Sequence, residues 1–316
     1  MICTVLKYFK SNESILFFLL IILCIFLSFY NPQFYSIQNI NSILRSSSTV
    51  MIVAFGMTIL LTSGEVDLSV GALMSFVTVI VMDVINISGS LFLGFLAVFI
   101  FCLMIGLING LVRTMLNVNS LIATLAMMLI LQGSVYIYSM AAIYNTHLLP
   151  FFTFIGQGFV FKIPMPVIIM LFILPFFIFL LNYTKYGRYF TAIGSNPSSS
   201  SLSGINNNKF KILGFVITSL LVGVAGIILA SLMDTGQQGS AKGFELIVIA
   251  AVLLGGTSFK GGSGTVIGTI LGILILKVID NGIILMRIPQ EFQLVVPGVI
   301  LILAVYFDTL RKEKNV

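Results

Sequence analysis

The chain has 316 residues, of which 59% are hydrophobic and only 8% charged, with a mean hydropathy of +1.15. No water-soluble core hides that much apolar surface, and a disordered chain does not carry it, so the composition specifies a polytopic membrane protein with an all-α fold. The net charge of +6 sits in loops between apolar stretches, which membrane topology explains without any nucleic-acid partner.

Crossing roughly 30 Å of hydrocarbon takes about 20 helical residues. Ten apolar segments come near that length: Ile15–Tyr30, Thr49–Leu61, Leu68–Ile85, Leu91–Val112, Leu121–Met140, Met165–Tyr183, Ile212–Met233, Phe244–Leu254, Thr265–Ile279 and Phe292–Phe307. Those starting at Thr49, Phe244 and Thr265 are short for a full span, which marks them as tilted, broken or re-entrant. The first segment follows Lys7 and Lys10 as a signal peptide does. It lacks a small-residue cleavage site, since Ser28-Phe29-Tyr30-Asn31-Pro32 is a poor match, so it reads as an uncleaved span.

An even number of spans puts both termini on one face, and the basic residues choose the cytoplasmic face. Lys7, Lys10, Arg113, Lys185, Arg188, Lys209, Lys211, Lys260, Arg311, Lys312 and Lys314 then fall inside, and Arg45, Lys162, Lys242 and Arg287 outside, eleven against four. Lys277 is left within a span. Cys3, Cys24 and Cys102 have no metal or redox spacing and read as inert packing residues.

Between the second and third segments lies Thr62-Ser63-Gly64-Glu65-Val66-Asp67-Leu68-Ser69-Val70-Gly71. Ionisable residues at membrane depth are costly and functional by default, and glycine beside them marks a helix break. Carboxylates two residues apart either share a proton or a cation, or face the wet cytoplasmic end of the broken helix. Asp67 is also placed to cap a helix starting at Leu68. The head of that segment, Asp67-Leu68-Ser69-Val70-Gly71-Ala72, resembles Glu245-Leu246-Ile247-Val248-Ile249-Ala250, and the topology puts the two at opposite membrane faces, as an inverted repeat requires.

The longest polar stretch runs from Asn182 to Lys211. Asn196 as N-cap, Pro197 at the first helical position and Gly204 just past the end bound a helix of about two turns. Its middle, Ser198-Ser199-Ser200-Ser201-Leu202-Ser203, is poor in helix formers, so it is either a flexible loop or a docking element held by a partner. Other polar residues within spans, Asn109, Thr124, Gln132, Ser134, Asp280 and Asn281, either line a passage or glue helices together. Gly223, Gly226, Gly268 and Gly272 read as helix-packing positions, and His147 stands in an outer loop without a ligand companion.

Five stretches together resemble the ribose-type permeases of bacterial ATP-binding-cassette importers. They are Gly64–Gly71, Ser195–Lys211, the run from Gly243 to Thr265 with its Gly261-Gly262-Ser263-Gly264 turn, Asn281-Gly282, and Val296-Pro297-Gly298-Val299-Ile300 with Asp308. The likeness extends in order from about Ser42 to Asp308. It implies a single transmembrane permease domain over residues 1–316 with a cytoplasmic coupling loop at 183–211. It also implies an inverted repeat and a location in the bacterial cytoplasmic (inner) membrane.

By the same resemblance the chain makes no bond and binds no cofactor. ATP and magnesium belong to a cytoplasmic ATP-binding partner, in keeping with the lack of a Gly-x-x-x-x-Gly-Lys-Ser/Thr loop here. A second permease, identical or a sister chain, completes the pathway in the lipid, and an extracytoplasmic sugar-binding protein delivers a monosaccharide. Asn196–Gly204 would be the coupling element, and Glu65, Asp67, Ser69, Asn109, Gln132, Glu245 and Asn281 the path or gate. Two positions depart from the family pattern. Pro197-Ser198-Ser199 replaces the usual Glu-Ala-Ala, leaving shape, Leu202 and Gly204 as anchors, and Glu65 stands where glycine is more usual. A quorum-signal importer of the same family and an ion-gradient transporter using Glu65 and Asp67 are the alternatives.

Overall fold

The computed structural model describes residues 12–146, 149–289 and 291–313. Cys3, Lys7, Lys10, His147 and Lys314 lie outside them. All ten apolar segments are helical, because only a helix closes its own backbone hydrogen bonds in hydrocarbon. The long ones are α1 (Asn12–Tyr30), α2 (Ile37–Thr62), α3 (Val70–Ser88), α4 (Leu91–Met115), α5 (Ser120–Tyr138), α7 (Met165–Tyr183), α10 (Asn207–Met233), α12 (Val266–Leu285) and α13 (Phe292–Glu313). A short α6 (Pro150–Gln157), a cap of two ribbons, and α8 (Lys185–Ser195), α9 (Pro197–Leu202) and α11 (Phe244–Leu254) complete the chain. Eight of the helices among the described residues are long and apolar enough to cross a membrane.

Two segments expected to be short are full length. α2 begins at Ile37, where Ser36 accepts from Asn39 N, so the polar run before Thr49 is helix rather than loop. Two of its hydroxyls are absorbed one turn back, Ser48 on Leu44 O at 2.6 Å and Ser46 on Ile43 O at 3.1 Å, and Ser47 is buried within the protein rather than turned to lipid. α12 likewise continues past Ile279 to Leu285. Phe244–Leu254 is short, as expected.

α2 occupies the centre, buried along its second half and packed by α7, α10, α11 and α12, with α3 and α4 on the other side of α10. Gly56 makes that crossing possible, since a Cβ there would stand 2.7 Å from Thr218 Cα on α10. α1 is peripheral, resting on α12 through a small separate cluster of Leu27, Phe34, Ile43 and Val278.

α3 and α11 each follow a non-helical approach, residues 63–69 and 234–243. The second approach runs back along α3, with Gly236 against Thr78 O and Ala241 N donating to Ser75 Oγ at 3.0 Å. The acid-led heads of α3 and α11 therefore meet inside the bundle rather than at opposite membrane faces. Gly71 marks the contact: a Cβ there would stand 2.1 Å from Glu245 Oε2 and 2.7 Å from Ala241 O.

Candidate functional site

α2 ends at Thr62 and Gly64 turns the chain at φ +77°, a conformation glycine adopts without steric cost. Donors freed by the break find partners from α5: Val66 N reaches Ser120 Oγ at 3.4 Å and Leu68 N reaches Thr124 Oγ1 at 3.0 Å. Thr124, a path candidate from sequence, is thus a tether for the break.

Glu65 and Asp67 are each 1% exposed, so neither faces a wet membrane end. The two carboxylates turn to different partners. Glu65 belongs to Arg113, in the last turn of α4, whose Nε donates to Oε2 at 2.7 Å. The Lys211 ammonium on α10 lies 2.5 Å from Oε1, a pairing of charge rather than an aligned hydrogen bond. Asp67 instead makes an Asx turn, its Oδ1 accepting from Ser69 N at 2.8 Å and Ser69 Oγ at 2.6 Å. Asn109 on α4 donates to Ser69 Oγ at 3.0 Å and more weakly to Asp67 Oδ2 at 3.4 Å. The helix accordingly starts at Val70, not Leu68.

Asp67, Ser69 and Asn109 are therefore one buried cluster, beside the Glu65 triad. In the sequence Arg113 and Lys211 read only as loop charges. Nothing local announces their shared partner.

Next to this cluster, the heads of α3 and α11 and one face of α5 enclose a cavity of about 220 Å³. Ser75, Gln132, Tyr136, Lys242 and Glu245 supply its polar lining, which brings together two of the path candidates, Gln132 and Glu245. Lys242, assigned to an outer loop from sequence, lines the same cavity. Ser134 is not in its wall.

Asn281 and Asp280 lie elsewhere. Asn281 exchanges two amide hydrogen bonds with Asn39 of α2, at 3.0 and 2.6 Å, and acts as helix glue. Asp280 pairs with Lys277 one turn away at 3.0 Å.

At the end of the bundle where α2 stops, α8 and α9 form a compact arm. α9 has the expected limits: Asn196 Oδ1 accepts from Ser199 N at 3.0 Å, Pro197 is the first helical residue, and Gly204 closes the end at φ +81°. The serine run is held by Asn207, whose amide donates to Pro197 O at 2.7 Å and Ser201 Oγ at 2.9 Å and accepts from Ser200 Oγ at 2.8 Å. Ser200 is buried by this clip, while Leu202 projects at 91% exposure.

The glycine-rich turn after α11 is a packing joint. Gly262 N donates to Thr62 O at 2.9 Å, and Gly194 of α8 lies so close that a Cβ would stand 2.0 Å from Thr62 O and 2.5 Å from Gly262 N. The arm is thereby seated on the end of α2.

Residues 39–305 match the family described as branched-chain amino acid transport system / permease component. The chain is 34% identical to the ribose import permease protein RbsC of Escherichia coli over 309 residues, covering 97% of this chain and 96% of that one. It is 35% identical to the ribose import permease protein RbsC of Haemophilus influenzae over 302 residues, 95% and 94% of the two chains. The L-arabinose transport system permease protein AraH of Escherichia coli is 38% identical over 299 residues, 95% and 90% of the two. No solved structure matches. A multi-pass helical bundle matched over nearly its whole length by transport permeases is a multi-pass membrane permease, and the chain belongs to the branched-chain amino acid transport system permease family.

Proposed function

We propose that this chain is the membrane subunit of an ATP-driven importer that passes a monosaccharide of the ribose or arabinose class to the cytoplasm by alternating access. The observation that carries the reading is α9: a helix capped at both ends, clipped to its own chain by Asn207, yet presenting Leu202 almost fully to solvent. A rigid, preorganised apolar tip fits a partner's groove. The partner is a cytoplasmic ATP-binding subunit carrying ATP and magnesium, and this chain supplies neither. A binding protein delivers the sugar outside, and a second permease, identical or a sister, completes the path. The excess of basic residues in the loops on the side of the termini supports cytoplasmic termini in a bacterial inner membrane.

In this reading the cavity between the heads of α3 and α11 is part of the passage. Its hydroxyl, amide, ammonium and carboxylate groups suit polyols in general rather than one sugar. That leaves most of the selectivity to the binding protein. The ion-gradient alternative loses ground, because the charge of Glu65 is already matched by two cations.

Purification in mild detergent tests the assignment, with the native chain beside a variant whose residues 196–204 become a glycine-serine linker. A P-loop ATPase that accompanies the native chain and is lost from the variant is the expected result. A native chain that comes alone and accumulates ribose under an ion gradient overturns it. Transport of a quorum-signal molecule with the ATPase present would keep the importer and change the solute.

A further inference from the structure

The break at residues 63–69 is joined to α10, the helix that follows the arm, by a charged contact between Glu65 and Lys211. We infer that Glu65, held between Arg113 and Lys211, is a latch that carries movement of α9 to the head of α3 and opens once in each transport cycle. The inference rests on the importer reading above.

The linkage is continuous. Asn207 grips α9 through Pro197 O, Ser200 and Ser201, and it is the first residue of α10. Lys211 follows four residues later on the same helical face, so a shift of α9 that drags Asn207 also drags the ammonium paired with Glu65. On the other side, Glu65 is two residues from Asp67, whose carboxylate sets the turn into α3 through Ser69. α3 then brings Gly71 against Glu245 at the cavity. Arg113 holds the same carboxylate to α4, which gives the latch a fixed post as well as a moving one.

Its energetics are those of a switch. The side chains of Arg113 and Lys211 are 24% and 12% exposed, whereas that of Glu65 is 2% exposed. The cations have water within reach when the contact opens, but Glu65 does not. When Lys211 withdraws, this buried carboxylate keeps Arg113 but loses one of its two cations, an imbalance the break relieves by rearranging, which makes the coupling stepwise rather than elastic. Apolar residues of similar volume usually hold such a position equally well, so packing alone does not call for three charges there.

The test uses the complete importer in proteoliposomes, with ATPase and binding protein, and ribose and arabinose as probes. The readout is ATP hydrolysed per sugar moved. The triple variant Glu65→Leu/Arg113→Leu/Lys211→Met is expected to assemble and hydrolyse ATP while the ratio rises about tenfold, as for an arm detached from its gate. Lys211→Gln leaves Arg113 on Glu65 and supplies the same test should the triple variant not assemble. It raises the ratio severalfold, and Lys211→Arg restores it. A native chain that couples, with Lys211→Gln and any assembled triple variant coupling equally well, overturns the latch alone. A native complex that moves neither sugar with ATP overturns the importer reading, and the latch with it.

Discussion

A methyl group at Gly194 has nowhere to go, because the atoms nearest it, Thr62 O and C and Gly262 N, are all backbone. Gly194→Ala is expected to cost about 1–3 kcal/mol, read as a lower melting temperature in detergent. Gly204→Ala is a different case: nothing lies within 4 Å, and the penalty comes only from its φ of +81°, about 1 kcal/mol. Asn281→Leu leaves Asn39 Oδ1 without its donor, although Asn39 Nδ2 keeps Phe34 O, and should cost about 1–2 kcal/mol, while Asn39→Leu/Asn281→Leu recovers part of it, which a double-mutant cycle measures. Glycines and acids at 64–71 were legible as a break from sequence because the φ preference and the cost of charge are local. The partners of those acids were not, since Arg113 and Lys211 come from α4 and α10.

At the scale of elements, α9 separates folding from docking. Its caps are satisfied within the chain, and Leu202 touches little of it, so Leu202→Ser should leave the melting temperature unchanged. It should weaken association with the ATPase by about tenfold or more, as loss of an exposed anchor does, measured by titrating the purified subunits. The limits of α9 were readable because capping is written in consecutive residues. The length of α2 was not, because Ser46 and Ser48 look like loop residues until their hydroxyls bond back onto the preceding turn.

For the whole molecule, α7 separates the arm from the ribbon cap, with 19 residues reaching about 28 Å. Phe161, 95% exposed, lies before it and Leu202 after it. In a chain with Cys3, Cys24 and Cys102 replaced by alanine, Phe161→Cys should react with an impermeant maleimide from outside the cell. Leu202→Cys should react only after the membrane is opened. The reverse labelling would invert the topology.

The sequence by itself determined the class, the helical segments, the break at Gly64 and the ends of α9. Each follows from the demands of hydrocarbon or from contacts within a few residues. Only the tertiary structure decided that Glu65 is shared by Arg113 and Lys211, that Asn281 answers Asn39, and that α3 and α11 meet head to head at Gly71. Those contacts act through space between residues far apart in the chain. In a low-dielectric interior, whichever opposite charge or amide lies nearest wins, and packing alone brings it near.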